Sequence, residues 1–106
     1  MRSISAILLK EMIDKKAPIQ IIDMREPEQY EHYHITNASN IPLNIIKCRT
    51  DFIKPNHLVI VYCSFGAKSE YMADYLRDVL NTRNICFLEG GLYEWYKEID
   101  PSAPIF

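Results

Sequence analysis

Cys63 and Lys68 are the residues with which this chain could do chemistry. The thiol ends the apolar run LVIVY, 58–62, and the loop SFGAK, 64–68, leads into a helical pattern that begins near Ser69. In open α/β sheets, ligands bind beyond the carboxyl ends of the strands. A helix N-terminus adds unpaired N–H groups and a positive dipole end. Gly66 tolerates the positive φ that lets successive loop N–H groups converge on an anion. A thiol placed there is expected to ionise readily, because those donors and Lys68 stabilise its anion. Ser64, Phe65, Gly66, Ala67, Lys68 and Ser69 are therefore the candidate residues for holding a sulfur or an anion beside Cys63. The plain alternative is a cysteine packed inertly at a strand end. The coincidence of strand end, glycine and helix start favours chemistry.

Lys68 is awkwardly placed. A cation in the first helical turn opposes the dipole by about 0.3–1 kcal/mol, which a bound anion would offset. Its stem could instead carry the ammonium into water at little cost. Ser69 is the expected helix N-cap, with its hydroxyl within reach of a bound sulfur.

The surrounding elements alternate. Ser3 or Ser5 caps a first helix with Leu8, Leu9, Met12 and Ile13 in helical period, and Pro18 lies beyond its end. IQII, 19–22, reads as a strand buried on both faces. Pro27 opens a short helix through about Tyr33. ASNIP, 38–42, is a short strand, and LNIIKCRTDFI is a weaker helix stopped at Pro55. LVIVY is the clearest strand. Met72, Tyr75, Leu76, Val79 and Leu80 give the next helix one apolar face. ICFL, 85–88, is another buried strand, and Gly90 and Gly91 turn the chain into a last helix, LYEWYKEI, ended by Pro101. Such alternation predicts an α/β fold, three-layer α/β/α, with a four- to five-stranded mainly parallel sheet in a single domain over 1–106.

With 48% hydrophobic and 25% charged residues the composition is that of a globular protein rather than a disordered one. A net charge of −2 without a basic stripe argues against nucleic acid as a partner. No apolar run approaches the roughly 20 residues that cross a bilayer, and MRSISAILLKEMIDKK lacks the form of a signal peptide. Three cysteines, Cys48, Cys63 and Cys86, give neither a disulfide framework nor a zinc spacing, and the cytoplasm is the expected compartment. A monomer is the default.

Three stretches resemble the rhodanese-like sulfurtransferases. CSFGAKS is similar to their loop, Cys-x-x-Gly-x-Arg followed by Ser or Thr. IIDMREPEQYEHYHITNASNIPL is similar to their upstream Asp-x-Arg, aromatic, Gly-His-Ile, Ala and Ile-Pro series, and FLEGGLYEWYKEIDPSAPIF to their closing Gly-Gly-x-x-x-Trp segment. The resemblance implies that Cys63 attacks the outer sulfur of a small donor such as thiosulfate. A Cys63 persulfide then passes the sulfur to a thiophilic acceptor: cyanide, a thiol or a protein sulfur carrier. No cofactor is implied, and a covalent intermediate of this kind is ordinary nucleophilic catalysis. The resemblance also implies structural pairing of Asp23 with Arg25 and some shaping of the pocket, where the residues alone allow a surface ion pair worth about 0–1 kcal/mol. GGLYEWYKEIDPSAPIF is further similar to the end of the rhodanese domain fused to adenylyltransferases of the molybdopterin-synthase sulfurylase type. That implies an adenylyltransferase domain or a sulfur carrier as partner.

Two residues depart from the family pattern. Lys68 stands where Arg is usual, and Lys offers a point charge where Arg grips an oxyanion with two parallel donors. Thiosulfate is then a poor donor, and a persulfide or protein donor a better one. Tyr33 replaces the usual Gly before His34, expected to alter a turn away from the loop. His34 reads as a partly buried histidine fixing that turn, and His32 and His57 as exposed. Cys86 reads as packing, with Cys48 the one conceivable second redox thiol. Trp95, Tyr93 and Tyr96 pack the last helix, while Phe65 and Tyr71 line the pocket mouth. Competing readings are a non-catalytic binding module on the same fold and a Cys-dependent phosphatase or arsenate reductase. The latter would place Arg where Ser69 stands.

Overall fold

The computed structural model describes residues 2–54 and 56–103. Its sheet contains five parallel strands: β1 (Ser3–Ile4), β2 (Ile19–Asp23), β3 (Ala38–Asn40), β4 (Leu58–Tyr62) and β5 (Ile85–Leu88), in the order β1-β5-β4-β2-β3. The helices are α1 (Ala6–Asp14), α2 (Pro27–His32), α3 (Leu43–Ile46), α4 (Ala67–Val79) and α5 (Gly91–Glu98). The α/β architecture with a parallel sheet is as the alternation predicts. β1 was not expected: two residues are too few to show a period, and they become a strand by pairing with Phe87 and Leu88.

Alternation along the strands builds two cores. Ile60 and Tyr62 of β4 join Ile21, Cys86, Leu88, Leu92, Trp95 and Leu9 on one face. Val59 and Val61 join Ile22, Ile85, Phe87, Met72 and Leu76 on the other. Cys63 follows the same two-residue period, so it falls on the second face, beneath α4. The alternation that fills the sheet thus also decides which helix faces the thiol.

Several local expectations shift. Ser5 caps α1, accepting from Leu8 N–H at 3.1 Å. The stretch after Pro42 does not hold one helix: α3 is four residues long, and a separate 3-10 turn covers Thr50–Phe52. Its expected stop, Pro55, lies outside the described residues. Val79 and Leu80 are 50% and 36% exposed, so the buried stripe of α4 is Met72, Ala73 and Leu76 instead. The last turn of that helix runs past the sheet. His32 is exposed, but His57 is half-buried in the turn entering β4, its Nδ1 without a partner among the described residues. Among the described residues no helix is long and apolar enough to cross a membrane.

Burial also fixes a pH response. Cys86, 0% exposed within β5, has its thiol pushed up from 9.0 to about 11 by desolvation. Tyr33 is pushed up from 10.0 to about 12, first by burial and then by its hydrogen bond to Asp100. Tyr62 moves the same way, from burial and then the Asp23 charge. In each case the unfolded chain ionises before the folded one, so the stability these groups allow is intact below pH 9 and declines as pH rises toward 12. Urea titrations at stepped pH should show that decline. Cys86→Val and Tyr33→Phe should each take about one proton out of its slope; an unchanged slope in both would contradict the assignment.

Candidate active site

The site is built where β4 ends. Leaving the sheet, the chain turns through Ser64 and Phe65 and enters α4 at Ala67. The N-cap is Gly66, at φ 106°, not Ser69. That φ belongs to glycine, and a Cβ there would stand 3.1 Å from the backbone N of Gly90. The helix begins before Ser69 because this glycine turns the chain early. Ser69 then lies inside the first turn, fully buried.

Cys63 is 7% exposed, with core neighbours on one side and a cleft of about 400 Å³ on the other. Its Sγ accepts from Gly66 N–H at 3.1 Å. The Cys63 thiol donates to Ser69 Oγ at 3.4 Å, and the Ser69 hydroxyl donates onward to the Gly66 carbonyl at 3.0 Å. The N–H groups of Phe65, Ala67 and Lys68 meet no acceptor among the described residues, as befits the start of a helix. One loop donor therefore reaches the sulfur, and three more N–H groups of the same loop and helix start have no acceptor among the described residues.

A second helix holds the loop from behind. At the N-terminus of α5, Leu92 N–H donates to the Cys63 carbonyl at 2.9 Å and Tyr93 N–H to the Ser64 carbonyl at 3.0 Å. The orphan donors of one helix thus fix the backbone that carries the thiol. Gly91 makes this approach possible: a Cβ on it would lie 2.5 Å from the Cys63 carbonyl oxygen and 2.8 Å from Ser64. Sequence reading gave Gly90 and Gly91 only the role of turning the chain. The signal for more was the pair itself, since a single glycine suffices for a turn.

Arg25 lines the cleft, with Asp23 holding it from behind. They are 5% and 0% exposed, so the pair is not a surface one. Arg25 Nη2 donates to Asp23 Oδ2 at 2.8 Å, and Arg25 N–H to Asp23 Oδ1 at 2.8 Å. Tyr62, opposite Asp23 in the sheet register, donates its hydroxyl to Oδ2 at 2.7 Å. Arg25 also donates to the Tyr33 carbonyl at 2.5 Å. Its charge is matched by Asp23 and its Nε and Nη2 donors are engaged, leaving Nη1 without a hydrogen bond among the described residues, so it shapes the cleft rather than offering a free fork. Tyr33 is accordingly less remote than expected. Its backbone is extended, at φ −162°, and its hydroxyl donates to Asp100 at 2.9 Å while accepting from Trp95 Nε1 at 3.0 Å.

The remaining candidates divide. Ser64, Phe65, Gly66, Ala67 and Lys68 all line the Cys63 cleft, with Met24, Glu26, Gln29 and Leu43. Phe65 is 61% exposed at its rim. Tyr71 lines a neighbouring groove instead. Tyr93 does not pack α5 on the sheet but stands exposed, its ring 5.9 Å from that of Phe65. His34 is held as expected, Nδ1 to the Tyr30 carbonyl at 2.8 Å and stacked on the Tyr30 ring. Cys48 is exposed in the turn after α3, and Cys86 is sealed in β5.

The chain matches the rhodanese-like domain family over residues 5–98. The adenylyltransferase and sulfurtransferase uba4 of Ogataea parapolymorpha is 33% identical over 101 residues, which cover 94% of this chain and 25% of that protein. The uncharacterized protein YqhL of Bacillus subtilis is 40% identical over 76 residues, covering 72% of this chain and 60% of its own length. The chain thus spans about a quarter of the first relative and three-fifths of the second. The crystal structure of a rhodanese-related protein from Thermoplasma volcanium matches with a TM-score of 0.81 at 29% identity, over 93% of this chain and 94% of that one. With the family model matched over most of its length, the chain is a member of the rhodanese-like domain family.

Proposed function

We propose that the chain is a sulfurtransferase in which Cys63 takes a sulfane sulfur from a donor, carries it as a persulfide, and passes it to a thiophilic acceptor. The observation that carries this reading is the Cys63 sulfur at a cleft wall, already accepting from Gly66 N–H at 3.1 Å, with further helix-start donors beside it. Attack by the thiolate on the outer sulfur forms one S–S bond and breaks another. The leaving group departs with the electron pair, and no net oxidation occurs. The new outer sulfur is anionic, and N–H groups of the loop suit it better than a neutral partner would. Relatives named for sulfur transfer support this activity, and a sulfur carrier or an adenylyltransferase domain as partner belongs to the same reading.

The cation content of the cleft bears on the donor. Arg25 is tied to Asp23, which leaves Lys68 as the cation of the lining without a carboxylate partner among the described residues. A single ammonium holds a sulfonate weakly, so an organic persulfide is the better donor than thiosulfate. The phosphatase reading fails at the position its arginine would fill: Ser69 stands there, buried and bonded to Gly66. A non-catalytic module would leave Cys63 unloaded by every donor.

Two outcomes are expected. Mass spectrometry after treatment with thiosulfate or an organic persulfide should find one added sulfur on the Cys63 peptide, faster with the persulfide. Cyanide should release it, and Cys63→Ser should gain none there; a chain that no donor loads is a binding module. Gly91→Ala forces a Cβ onto the Cys63 carbonyl, so loading should slow by about tenfold or more and stability fall by about 1–3 kcal/mol. Loading at the wild-type rate in a Gly91→Ala protein would mean that α5 does not position the loop.

A further inference from the structure

Beside the Cys63 cleft lies a second groove of about 480 Å³. It shares Leu43, Ala67 and Lys68 with the cleft, so the two adjoin. Its walls are mostly apolar, the polar groups being Asn44, the Tyr71 hydroxyl and two lysines, Lys47 and Lys68, and among the described residues no acid lines it. Lys47 is not a loose surface cation. Its ammonium sits 4.4 Å from the Tyr75 ring centre and 5.3 Å from that of Tyr71, and donates to the Tyr71 hydroxyl at 3.3 Å. Two aromatic faces hold the charge in place without neutralising it. Among the described residues neither Lys47 nor Lys68 has a carboxylate partner; Lys15, Lys16, Lys54 and Arg83 have none either, and it is the pair of tyrosine rings that sets Lys47 apart.

We propose that this groove holds the body of the sulfur donor, and that the donor is the persulfide of a small thiol bearing a carboxylate. This rests on the sulfurtransferase reading and deepens it. The groove's size falls in the range of about 300–1,000 Å³ typical of small-ligand sites. Its charge selects an anion. An ammonium pairs with a carboxylate as a point charge, without the bidentate grip that a guanidinium would add. With the carboxylate at Lys47, the apolar part of the donor lies against Leu43, Ala67 and Met72, and its sulfur end enters the cleft. Cys63 thiolate then attacks the outer sulfur of R–S–SH. The R–S to outer-sulfur bond breaks, the Cys63–S–SH bond forms, and R–S⁻ leaves with the electron pair and takes a proton from solvent. Tyr71, 59% exposed on the groove wall, covers the donor's body rather than the reacting sulfur.

The test compares N-acetylcysteine persulfide with the persulfide of N-acetylcysteine amide, which has the same shape without the charge. Cys63 loading is followed by mass spectrometry over a range of donor concentrations. The carboxylate donor should half-saturate the protein at about fivefold lower concentration, the size of one exposed ion pair, with a similar maximal rate. In Lys47→Gln that preference should vanish, in Lys47→Arg it should persist, and raising the salt concentration should erode it in the wild type. Equal half-saturation by both donors, or a preference that survives Lys47→Gln, overturns the groove assignment while leaving sulfur transfer standing. Failure of small persulfides to saturate, beside ready loading from a cysteine persulfide carried on a protein, overturns it too, since the occupant is then a protein. If no donor of any kind loads Cys63, both this inference and the sulfurtransferase reading fall.

Discussion

The backbone that bears the thiol is clamped between two helix N-termini, and the rest of the site depends on that clamp. In front, α4 starts at Gly66 and turns N–H groups toward the business of the loop; the Gly66 donor reaches Cys63 Sγ directly. Behind, Leu92 and Tyr93 at the start of α5 donate to the carbonyls of Cys63 and Ser64. Carbonyls engaged in this way cannot swing toward the sulfur, where their negative ends would oppose an anion. The two helices meet through glycine, with Gly66 against Gly90 and Gly91 against the loop itself. A Cβ at Gly91 would overlap the Cys63 carbonyl at 2.5 Å and push α5 off the loop, while one at Gly66 would crowd Gly90 at 3.1 Å and strain a positive φ.

A second constraint sets the facing wall. Asp23, fully buried, accepts from Arg25 and from Tyr62, and Tyr62 in turn accepts from Ile35 N–H at 3.1 Å. A buried carboxylate survives only when its oxygens are so satisfied, and removing one partner of such a pair costs about 3–5 kcal/mol. The cluster therefore ties the ends of β2 and β4 to the segment before β3. Through the Tyr33 carbonyl it also reaches the Trp95 and Asp100 contacts near the end of α5. One network thus connects the wall of the cleft to the helix that grips the thiol loop. Within it, Arg25 acts as a strut, and Lys68 remains the cleft's solvent-facing cation.

How much of this could be read from the sequence follows from how local each cause is. LVIVY and ICFL form β4 and β5 over the expected residues, because β-branched runs buried on both faces advertise themselves. β1 does not, since its reason for existing is the neighbouring strand. The sequence points to Gly66 for its φ but to Ser69 for the cap, because a serine carries a side-chain signal and a capping glycine carries none. Cys63 and its loop were legible as a set. The burial of Asp23 was not, since it depends on Tyr62 across the sheet. Nor was Gly91, whose neighbour is 28 positions earlier in the chain and known only through the fold. Lys47 gave no warning, because its meaning comes from two tyrosines on α4.

The central claim is that loop amides, held outward by the α5 clamp, cradle a second sulfur on Cys63. A crystal structure of the persulfide-loaded protein addresses it most directly. The account requires the terminal sulfur to lie within hydrogen-bonding reach of at least two main-chain N–H groups between Phe65 and Lys68, with the Cys63 and Ser64 carbonyls still bound to α5. A terminal sulfur buried among the side chains beneath α4, or a loop that has turned its carbonyls inward to meet it, would contradict the account.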